Sequence, residues 1–391
     1  MSDDNLELDP PHPTAELKEQ NGLQWWQWNH PTTGILQIEF TGKGVLDDET
    51  VKEMEGEFME RHHFELLVNY DCDAYAPRES SALDLLTGFS SDNPEDRLLL
   101  SFRRNVLSRE FCDAAREGLR DAATPSESRG AAAGIVNPET IRGGPERLVN
   151  DGKKKKFWAS LYNKDGTLSR IKVSNMVMTG AVGYLGWRPT NPYCRETTYS
   201  AKFREKFEQA FPLLEQINTV FRGLIPTRWA AQQKYIRDHQ LEEKGWIVNG
   251  TIFTTVTVNR NFRTGLHMDQ GDLPAGFGNL TVLEGGDPYD GGFTVFPKYR
   301  CAADIRTGDF AAMNVHGQYH GNVGITARDP AAPNFERVTL VCYCRENMKE
   351  CGSRAEEEAK RDALKGRKRL PNTVDEEILH MVNADENHEE D

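Results

Sequence analysis

The stretch TGLHMDQGDLPAGFG, residues 264–278, joins two apolar runs through a segment rich in glycine, aspartate and proline. It places His267 two residues before Asp269, and no other histidine in the chain has this spacing to an aspartate. Residues two apart on a strand project to the same side, so an imidazole and a carboxylate here can reach one ion. The stretch therefore predicts either two ligands of a metal site or a polar strand end.

Short β-branched runs surround this stretch, separated by Gly, Pro and Asp, and predict antiparallel strands. Before them, PLLEQINTVFRGL (212–224) has apolar residues at helical spacing, and a second helix is predicted from Pro226. Helices followed by many short strands predict an α+β fold, either a sandwich or a jelly roll buttressed by helices. The runs are TIFTTVTV (251–258), GNLTVLE (278–284), GGFTVFP (291–297), DFAAMNV (309–315) and RVTLVCYC (337–344).

Composition limits the class of protein. The chain has 391 residues, a net charge of −14, and no apolar run long enough to span a bilayer. Its seven cysteines form no C-x-x-C pair, so we expect neither disulfides nor structural zinc, and a reducing compartment. Residues 131–352 contain 28 Lys and Arg against 22 Asp and Glu, a charge of about +6 that permits a nucleic-acid partner.

Composition also divides the chain into four parts. We expect an acidic disordered tail (residues 1–20), an N-terminal α+β extension (21–130), a jelly-roll catalytic domain (131–352) and a charged C-terminal tail (353–391) that begins as a helix. The Ser-, Gly- and Ala-rich residues 123–134 are interpreted as a linker or exposed loop at the second boundary. The run KKKK (153–156) is either a phosphate-binding segment or a solvated turn.

A complete iron site needs one more ligand. Iron(II) in many oxygenases is held by two histidines and one carboxylate, with positions left open for a co-substrate and dioxygen. His320 follows the first ligands after several strands and can close the set, with His316 as the competitor. Arg337 and Thr339 stand two apart on a later strand, so a guanidinium and a hydroxyl can face the same interior and hold a dicarboxylate such as 2-oxoglutarate. The alternative interpretation is that Arg337 is an ordinary strand residue on the protein surface.

These residues lie in segments that resemble the TET/J-binding-protein family of iron(II)- and 2-oxoglutarate-dependent nucleic-acid base dioxygenases. The likeness spans residues 180–351 and is closest to the smaller single-domain members, because a cysteine-rich zinc region is absent from the sequence. It implies a double-stranded β-helix, or jelly-roll, core. The segments that carry the likeness are GYLGWRPTNPYCRET (183–197), NFRTGLHMDQGDL (261–273), YDGGFTVFPKYRCAADIRTGDF (289–310), YHGN (319–322) and ERVTLVCYCRENM (336–348).

The resemblance implies roles for individual residues. It makes His267, Asp269 and His320 the iron ligands, and it makes Arg337, Thr339 and Arg263 the 2-oxoglutarate contacts. The residues that it places at the substrate are Asp272, Arg345, Asn191 and Arg195. Asp272 could instead cap a turn, and the Asn-Pro pair at 191 is also an ordinary turn signal. Arg345 replaces a base-contacting histidine of some relatives, which leaves the identity of the base open.

By resemblance, the expected reaction is oxidation of the methyl group of 5-methylcytosine in double-stranded DNA, with the base flipped out of the helix. Thymine and N6-methyladenine are the alternative bases. A non-catalytic DNA- or chromatin-binding module, and a dioxygenase acting on a protein side chain or small molecule, are the alternatives of other classes. We expect a monomer, nuclear in a eukaryote and otherwise cytoplasmic. KGRKR (365–369) is either a nuclear import signal or a charged helix end.

Overall fold

A computed structural model gives the structure of the protein, and it describes residues 9–78, 94–141, 144–149, 156–169, 172–188, 191–331 and 333–366. Residues 153–155 of the lysine run, and 367–391 with most of the basic cluster and the acidic end, lie outside the described residues. No helix in the described part is both long and apolar enough to cross a bilayer.

Eighteen strands are present in the described residues. The first nine are β1 (Glu16–Gln20), β2 (Leu23–Asn29), β3 (Leu36–Phe40), β4 (Leu66–Val68), β5 (Cys72–Tyr75), β6 (Leu98–Arg103), β7 (Thr124–Ser126), β8 (Val177–Leu185) and β9 (Arg195–Glu196). The others are β10 (Thr255–Arg260), β11 (Gly278–Gly286), β12 (Tyr289–Gly291), β13 (Thr294–Phe296), β14 (Cys301–Ala303), β15 (Phe310–Met313), β16 (Gly321–Asn322), β17 (Ile325–Ala327) and β18 (Phe335–Tyr343).

The described residues also contain seven α-helices and several single 3₁₀ turns. The helices are α1 (Asp48–Glu53), α2 (Arg109–Leu119), α3 (Thr198–Lys202), α4 (Arg204–Glu208), α5 (Phe211–Leu224), α6 (Pro226–Asp238) and α7 (Arg354–Gly366). Both helices predicted before the strands are therefore confirmed as α5 and α6. The predicted start of the C-terminal tail as a helix is confirmed by α7.

The jelly roll consists of two sheets built from alternating strands. In the larger sheet, β15, β11, β18 and β10 are neighbours in that order, and all of their pairings are antiparallel. In the smaller sheet the order is β16, β13 and β14. Apolar side chains of β11 and β15 pack in one core with those of β13 and β14. The predicted α+β fold with a jelly-roll core buttressed by helices is confirmed.

Helix α5 supports the outer face of the larger sheet. Its apolar side chains recur every three or four residues, so Leu213, Leu214, Ile217 and Phe221 lie on one face and are buried against β10 and β18. Full burial of each such side chain contributes about 1.5–3 kcal/mol. This packing leaves the opposite face of the sheet free to line an interior cavity.

The segment before residue 130 extends both sheets of the jelly roll. Strand β6 pairs with β15 at the edge of the larger sheet, and β5, β3, β2 and β1 continue outward. Strand β4 pairs in parallel with β14 of the smaller sheet. An open strand edge exposes unpaired backbone groups, so these additions protect edges that the jelly roll alone would leave free.

The expectation of a disordered tail up to residue 20 is wrong for its last five residues. Strand β1 pairs with β2 over its whole length, from Glu16 opposite Gln27 to Gln20 opposite Leu23. Asn21 and Gly22 make the turn with φ of 48° and 82°, the left-handed conformation that suits a two-residue hairpin. The polar composition reflects an edge strand that is solvated on both faces.

The interpretation of residues 123–134 as a linker or exposed loop is also wrong. Strand β7 lies at the edge of the larger sheet, and Gly130 and Ala133 of the following 3₁₀ turn are buried. Gly265 donates its N–H to the carbonyl of Ala132 at 2.9 Å, and a Cβ at Gly265 would approach the Ala131 carbonyl to 2.7 Å. The small residues here allow close backbone packing and do not indicate flexibility.

The sequence led us to expect no disulfide, but two of the seven cysteines form one. Cys194 and Cys351 form a disulfide across 157 residues of sequence. The five other cysteines are free and buried. The pair has no short spacing to reveal it, because β9 and the segment after β18 become neighbours only when the sheet is complete.

We predict that Cys194→Ser lowers the free energy of unfolding of the oxidised protein by about 2–4 kcal/mol, because the disulfide restricts the unfolded chain. Urea unfolding followed by tryptophan fluorescence measures this. Wild-type protein unfolded with a reductant is the control and should approach the variant. Equal unfolding curves for oxidised wild type and variant would contradict a stabilising disulfide.

Candidate metal centre and substrate cavity

The two histidines of the site face each other across one backbone pairing. The N–H of His267 donates to the carbonyl of His320 at 3.0 Å, and the N–H of His320 donates back at 2.9 Å. Residues that exchange both hydrogen bonds lie directly opposite, with both side chains on one face. The ring centroids are accordingly 4.4 Å apart. His267 belongs to the strand end of the opening stretch and His320 immediately precedes β16.

Asp269 completes the group. Its backbone N–H donates to the Val315 carbonyl at 2.9 Å, which holds it on the same face as His267. One carboxylate oxygen lies 3.5 Å from His267 Nε2 and the other 3.8 Å from His320 Nε2. One ligand atom from each residue lies within 4.8 Å of the other two. In the described residues no other group of His, Cys, Asp and Glu meets this criterion.

The electrostatics of the three residues suit a divalent metal. Burial opposes ionisation of Asp269, but the hydrogen bond and charge of His267 lower its pKa overall. Burial and the neighbouring His267 lower the pKa of His320 to about 4. His320 is therefore neutral near pH 7, and a neutral imidazole is the form that binds metal. A carboxylate and a neutral imidazole are both available at neutral pH.

The second nitrogens of both rings provide a test of the metal fit. His267 Nδ1 lies 2.8 Å from the Gly265 carbonyl, and His320 Nδ1 lies 3.2 Å from the Gln318 carbonyl. A carbonyl only accepts, so each Nδ1 carries the proton and each Nε2 keeps a lone pair directed at Asp269. Two imidazoles and one carboxylate with this orientation fit Fe(II) in an oxygenase site. His316 is not part of this ligand group, and its Nδ1 lies 3.3 Å from the Asp269 backbone carbonyl oxygen.

These residues line a cavity of about 490 Å³ inside the jelly roll, within the range of small-molecule sites. Strand β18 supplies one wall through alternate residues Thr339, Val341 and Tyr343, followed by Arg345. Alternation is expected, because every second side chain of a strand faces the same side. Residues of β10 and the 3₁₀ turn at 130–133 supply other walls.

Arg337 lies on β18 two residues before Thr339 and is a buried cation that lacks a full set of partners. It is 3% exposed, and its Nη1 donates to Thr339 Oγ1 at 2.6 Å. Its Nη2 is buried without a hydrogen-bond partner among the described residues. Gly292, with φ of 74°, leaves room for this guanidinium, since a Cβ there would lie 2.9 Å from Nε. A buried unsatisfied donor is costly, so the site fits one carboxylate of 2-oxoglutarate.

Asp272 and Arg345 lie together at the other end of the cavity, paired through an isolated β-bridge. Burial, and then the neighbouring Asp269, raise the pKa of Asp272 well above its usual value. Asp272 Oδ2 and Arg345 Nε are buried without partners among the described residues. Nη1 of Arg345 donates to the Tyr343 hydroxyl at 3.2 Å. Unpartnered polar atoms on a cavity wall can bind a polar ligand edge.

Four residues that the sequence placed at the site do not line this cavity, and one of them, Arg337, contacts the lining through Thr339. Arg263 pairs with Glu60 at 2.6 Å and lies over the Phe58 ring, and its 2-oxoglutarate contact stays a prediction. Asn191 forms a tight turn through backbone hydrogen bonds with Arg188. Arg195 lines a second, smaller cavity of about 180 Å³. The turn signal of the Asn-Pro pair therefore describes Asn191 correctly.

The cavity also contains residues that sequence patterns did not identify. Arg129 donates to Thr179 Oγ1 from Nε at 3.2 Å and from Nη2 at 2.5 Å, and Thr179 donates to Asn259 Oδ1 at 2.6 Å. Arg188 lines the cavity as well. No sequence pattern pointed to Arg129 as a cavity residue, because its segment has the composition of a linker. Arg188 lies in the GWRPTN segment that carried the family likeness.

Aromatic rings that could stack on a base are found at the cavity in only some of the neighbouring segments. Phe262 lines it, whereas Phe277 is buried in the core and Tyr193 lines the smaller cavity. Phe157 and Trp158, which follow the lysine run, line the main cavity. The run thus ends in a cavity wall, which its composition did not predict.

Comparison with known proteins agrees with this geometry. The model of the oxygenase domain of the 2OGFeDO superfamily (Tet_JBP) matches residues 185–346, which include both histidines, Asp269 and Arg337. Proteins of this superfamily use Fe(II) and 2-oxoglutarate, and these are the cofactors of this chain. The donor set and the unsatisfied buried guanidinium described above fit both groups.

Two curated relatives illustrate the similarity. Thymine dioxygenase JBP1-B of Trypanosoma cruzi (strain CL Brener) is 28% identical over 272 residues, which cover 67% of this chain and 30% of that protein. The bifunctional helicase and thymine dioxygenase JBP2 of Leishmania infantum is 32% identical over 172 residues, covering 44% of this chain and 15% of that protein. The match thus spans less than a third of either relative.

Among solved structures, NgTET1 in complex with 5mC DNA aligns with a TM-score of 0.41 and 12% identity. The alignment covers 81% of this chain and all of that chain.

We predict that His320→Ala weakens Co(II) binding by more than about 100-fold, because even the loss of an outer-shell partner typically costs 10- to 100-fold. Titration of the apoprotein with Co(II), followed by absorbance, measures this. His316→Ala tests the competing histidine and should lose much less affinity, since its imidazole lies outside the ligand group and only its Nδ1 approaches the Asp269 carbonyl oxygen. Equal loss in both variants would contradict the ligand assignment.

Proposed function

We propose that this chain, whose residues 185–346 match the Tet_JBP oxygenase model, oxidises the methyl group of 5-methylcytosine in DNA. The observation that supports this most is the convergence of His267, Asp269 and His320 in one cavity, where Thr339 accepts from the incompletely satisfied guanidinium of Arg337. Iron, when bound with 2-oxoglutarate and dioxygen, supplies the oxidising power for a C–H bond.

The residues of this chain hold and orient the reactants. Arg337 and Thr339 fix the far carboxylate of 2-oxoglutarate, because a planar guanidinium fork matches a carboxylate. His267, Asp269 and His320 would hold the metal at the cavity wall. The methyl group to be oxidised would therefore approach from the cavity.

The outer half of the cavity suits the polar edge of a base. The carboxyl group of Asp272 can accept from the exocyclic amino group of a cytosine. Tyr343, tied to Thr257 through their hydroxyls at 3.1 Å, presents an aromatic ring on the same wall. A base inside a duplex cannot reach an enclosed site, so it has to be flipped out at a cost of a few kcal/mol that edge contacts and stacking offset.

Thymine is the second candidate substrate. The curated relatives are named thymine dioxygenases. Thymine carries the same ring-5 methyl group, and its ring N–H can donate to the Asp272 carboxyl. The cavity therefore accepts either pyrimidine on these contacts, and the substituent at ring position 4 separates the two.

We predict that DNA incubated with the protein, Fe(II) and 2-oxoglutarate gains 5-hydroxymethylcytosine. Mass spectrometry of nucleosides from matched duplexes with and without 5-methylcytosine detects it, and 5-hydroxymethyluracil in both duplexes would instead identify thymine oxidation. Asp269→Ala is the inactive control. Succinate release that does not depend on DNA would favour a protein or small-molecule substrate. DNA binding without turnover would favour a non-catalytic module.

We predict that Arg337→Met raises the KM for 2-oxoglutarate by roughly 10- to 150-fold, because a charge-assisted hydrogen bond contributes about 1.5–3 kcal/mol. Initial rates of succinate formation at varied 2-oxoglutarate measure it. Co(II) affinity of the variant should equal that of the wild type, which separates cofactor binding from loss of the fold. An unchanged KM would remove Arg337 from the 2-oxoglutarate site.

A further inference from the structure

We propose that Arg129, Arg188 and Arg345, named here the outer arginine cluster, bind the phosphodiester groups next to the nucleotide whose base enters the cavity. This inference rests on the proposed function, because it concerns how DNA is held at the same site. It adds two residues, Arg129 and Arg188, to which neither sequence patterns nor the family likeness gave a role.

The cluster lies at the end of the cavity opposite the 2-oxoglutarate site. Arg337 and Arg345 stand eight residues apart on one wall, which corresponds to about 27 Å of extended chain. Thr339, Val341 and Tyr343 line the cavity between them. The deep guanidinium can therefore hold the dicarboxylate while the outer ones contact a different anion.

The three guanidiniums lack carboxylate partners. Among the described residues, no Asp or Glu lies within ion-pair distance of Arg129, Arg188 or Arg345. Arg188 is exposed and lines the cavity together with Arg129 and Arg345, and the charge of Arg345 contributes to lowering its pKa. Three cations from separate segments lie near enough to repel one another, and a bound anion relieves that repulsion.

The acidic residues that line the cavity do not neutralise the cluster. Asp269 faces the two histidines and is committed to the metal. Asp272 and Glu55 also line the cavity, and neither makes an ion pair with a guanidinium of the cluster among the described residues. The three guanidiniums therefore remain available to an incoming anion.

A phosphodiester chain fits this arrangement better than a single small anion. Each guanidinium comes from a different segment: Arg129 follows β7, Arg188 follows β8, and Arg345 follows β18. Separated cations suit a ligand with several charges along its length, as a nucleic-acid strand has. Arginine also binds phosphate oxygens bidentately. Contacts of this kind position DNA without reading its sequence.

The segments that carry the cluster are anchored to each other. The Cys194–Cys351 disulfide joins the chain six residues after Arg188 to the chain six residues after Arg345. A second link lies next to the arginines, where Asn347 Nδ2 donates to the Trp187 carbonyl at 2.9 Å. Arg129 is held by Thr179, as described above. The guanidiniums are therefore presented by a braced frame, which reduces the entropy lost when they bind an anion.

Fluorescence anisotropy tests the proposal. The probes are two labelled duplexes, one with a single 5-methylcytosine and one unmodified, without iron or 2-oxoglutarate, over salt concentrations between about 0.05 and 0.2 M. We expect Arg188→Gln to weaken binding of both duplexes equally, by roughly five- to tenfold at about 0.1 M salt, and to reduce the slope of log K against log salt by about 0.9. Arg129→Gln should behave in the same way.

Two further variants make the result specific. Arg237→Gln removes one exposed arginine from α6, away from the cavity lining, and should bind DNA as wild type. Arg129→Lys keeps the charge and should retain the salt slope, which separates a charge effect from disturbance of the 3₁₀ turn. Co(II) affinity confirms that each variant is folded.

The outcomes separate this inference from the proposed function. Weaker binding of only the methylated duplex, with an unchanged salt slope, would mean that Arg188 reads the base and would overturn the phosphate role. Variants indistinguishable from Arg237→Gln, or wild-type protein that does not bind DNA, would overturn it as well. If the variants lose affinity as expected but wild type oxidises no base, the proposed function fails while the phosphate site stands.

Discussion

The site depends on the register between the strand end at His267 and the strand that begins after His320. Two reciprocal backbone hydrogen bonds between these residues set both imidazoles on one face. A slip of one residue would turn one ring to the opposite face and leave Asp269 with a single partner. The carbonyls of Gly265 and Gln318 then fix the ring orientation. Backbone pairing, and not side-chain chemistry, is therefore what assembles the metal centre.

Strand β18 positions the other functional side chains in a row. The buried guanidinium of Arg337 contacts Thr339, which lines the cavity with Val341 and Tyr343, and Arg345 follows. Because a strand has a fixed rise per residue, the distance between the cofactor end and the substrate end is set by residue count. Helix α5 buttresses the outer face of the same sheet, so this line of groups rests on a rigid layer.

Structural features that depend on residues close together in the sequence were predictable. The apolar spacing of 212–224 and the β-branched runs after residue 250 identified α5 and the jelly-roll strands, because side-chain periodicity reports local structure directly. The His-x-Asp and Arg-x-Thr spacings identified side chains that share a strand face. The hairpin at Asn21 and Gly22 was missed although this dipeptide is a strong turn signal, because the polar, charged composition of β1 indicated a disordered tail.

Contacts between distant segments were decided only by the tertiary structure. The Cys194–Cys351 disulfide, the packing of Gly265 on the 3₁₀ turn and the approach of Arg129 to the cavity have no local signature. Arg263 was assigned to the cofactor by the family resemblance alone, and in the fold a carboxylate from the N-terminal segment pairs with it. The sequence by itself determined which residues share a face of one element. The fold alone decided which faces meet, because that depends on the packing of the whole chain.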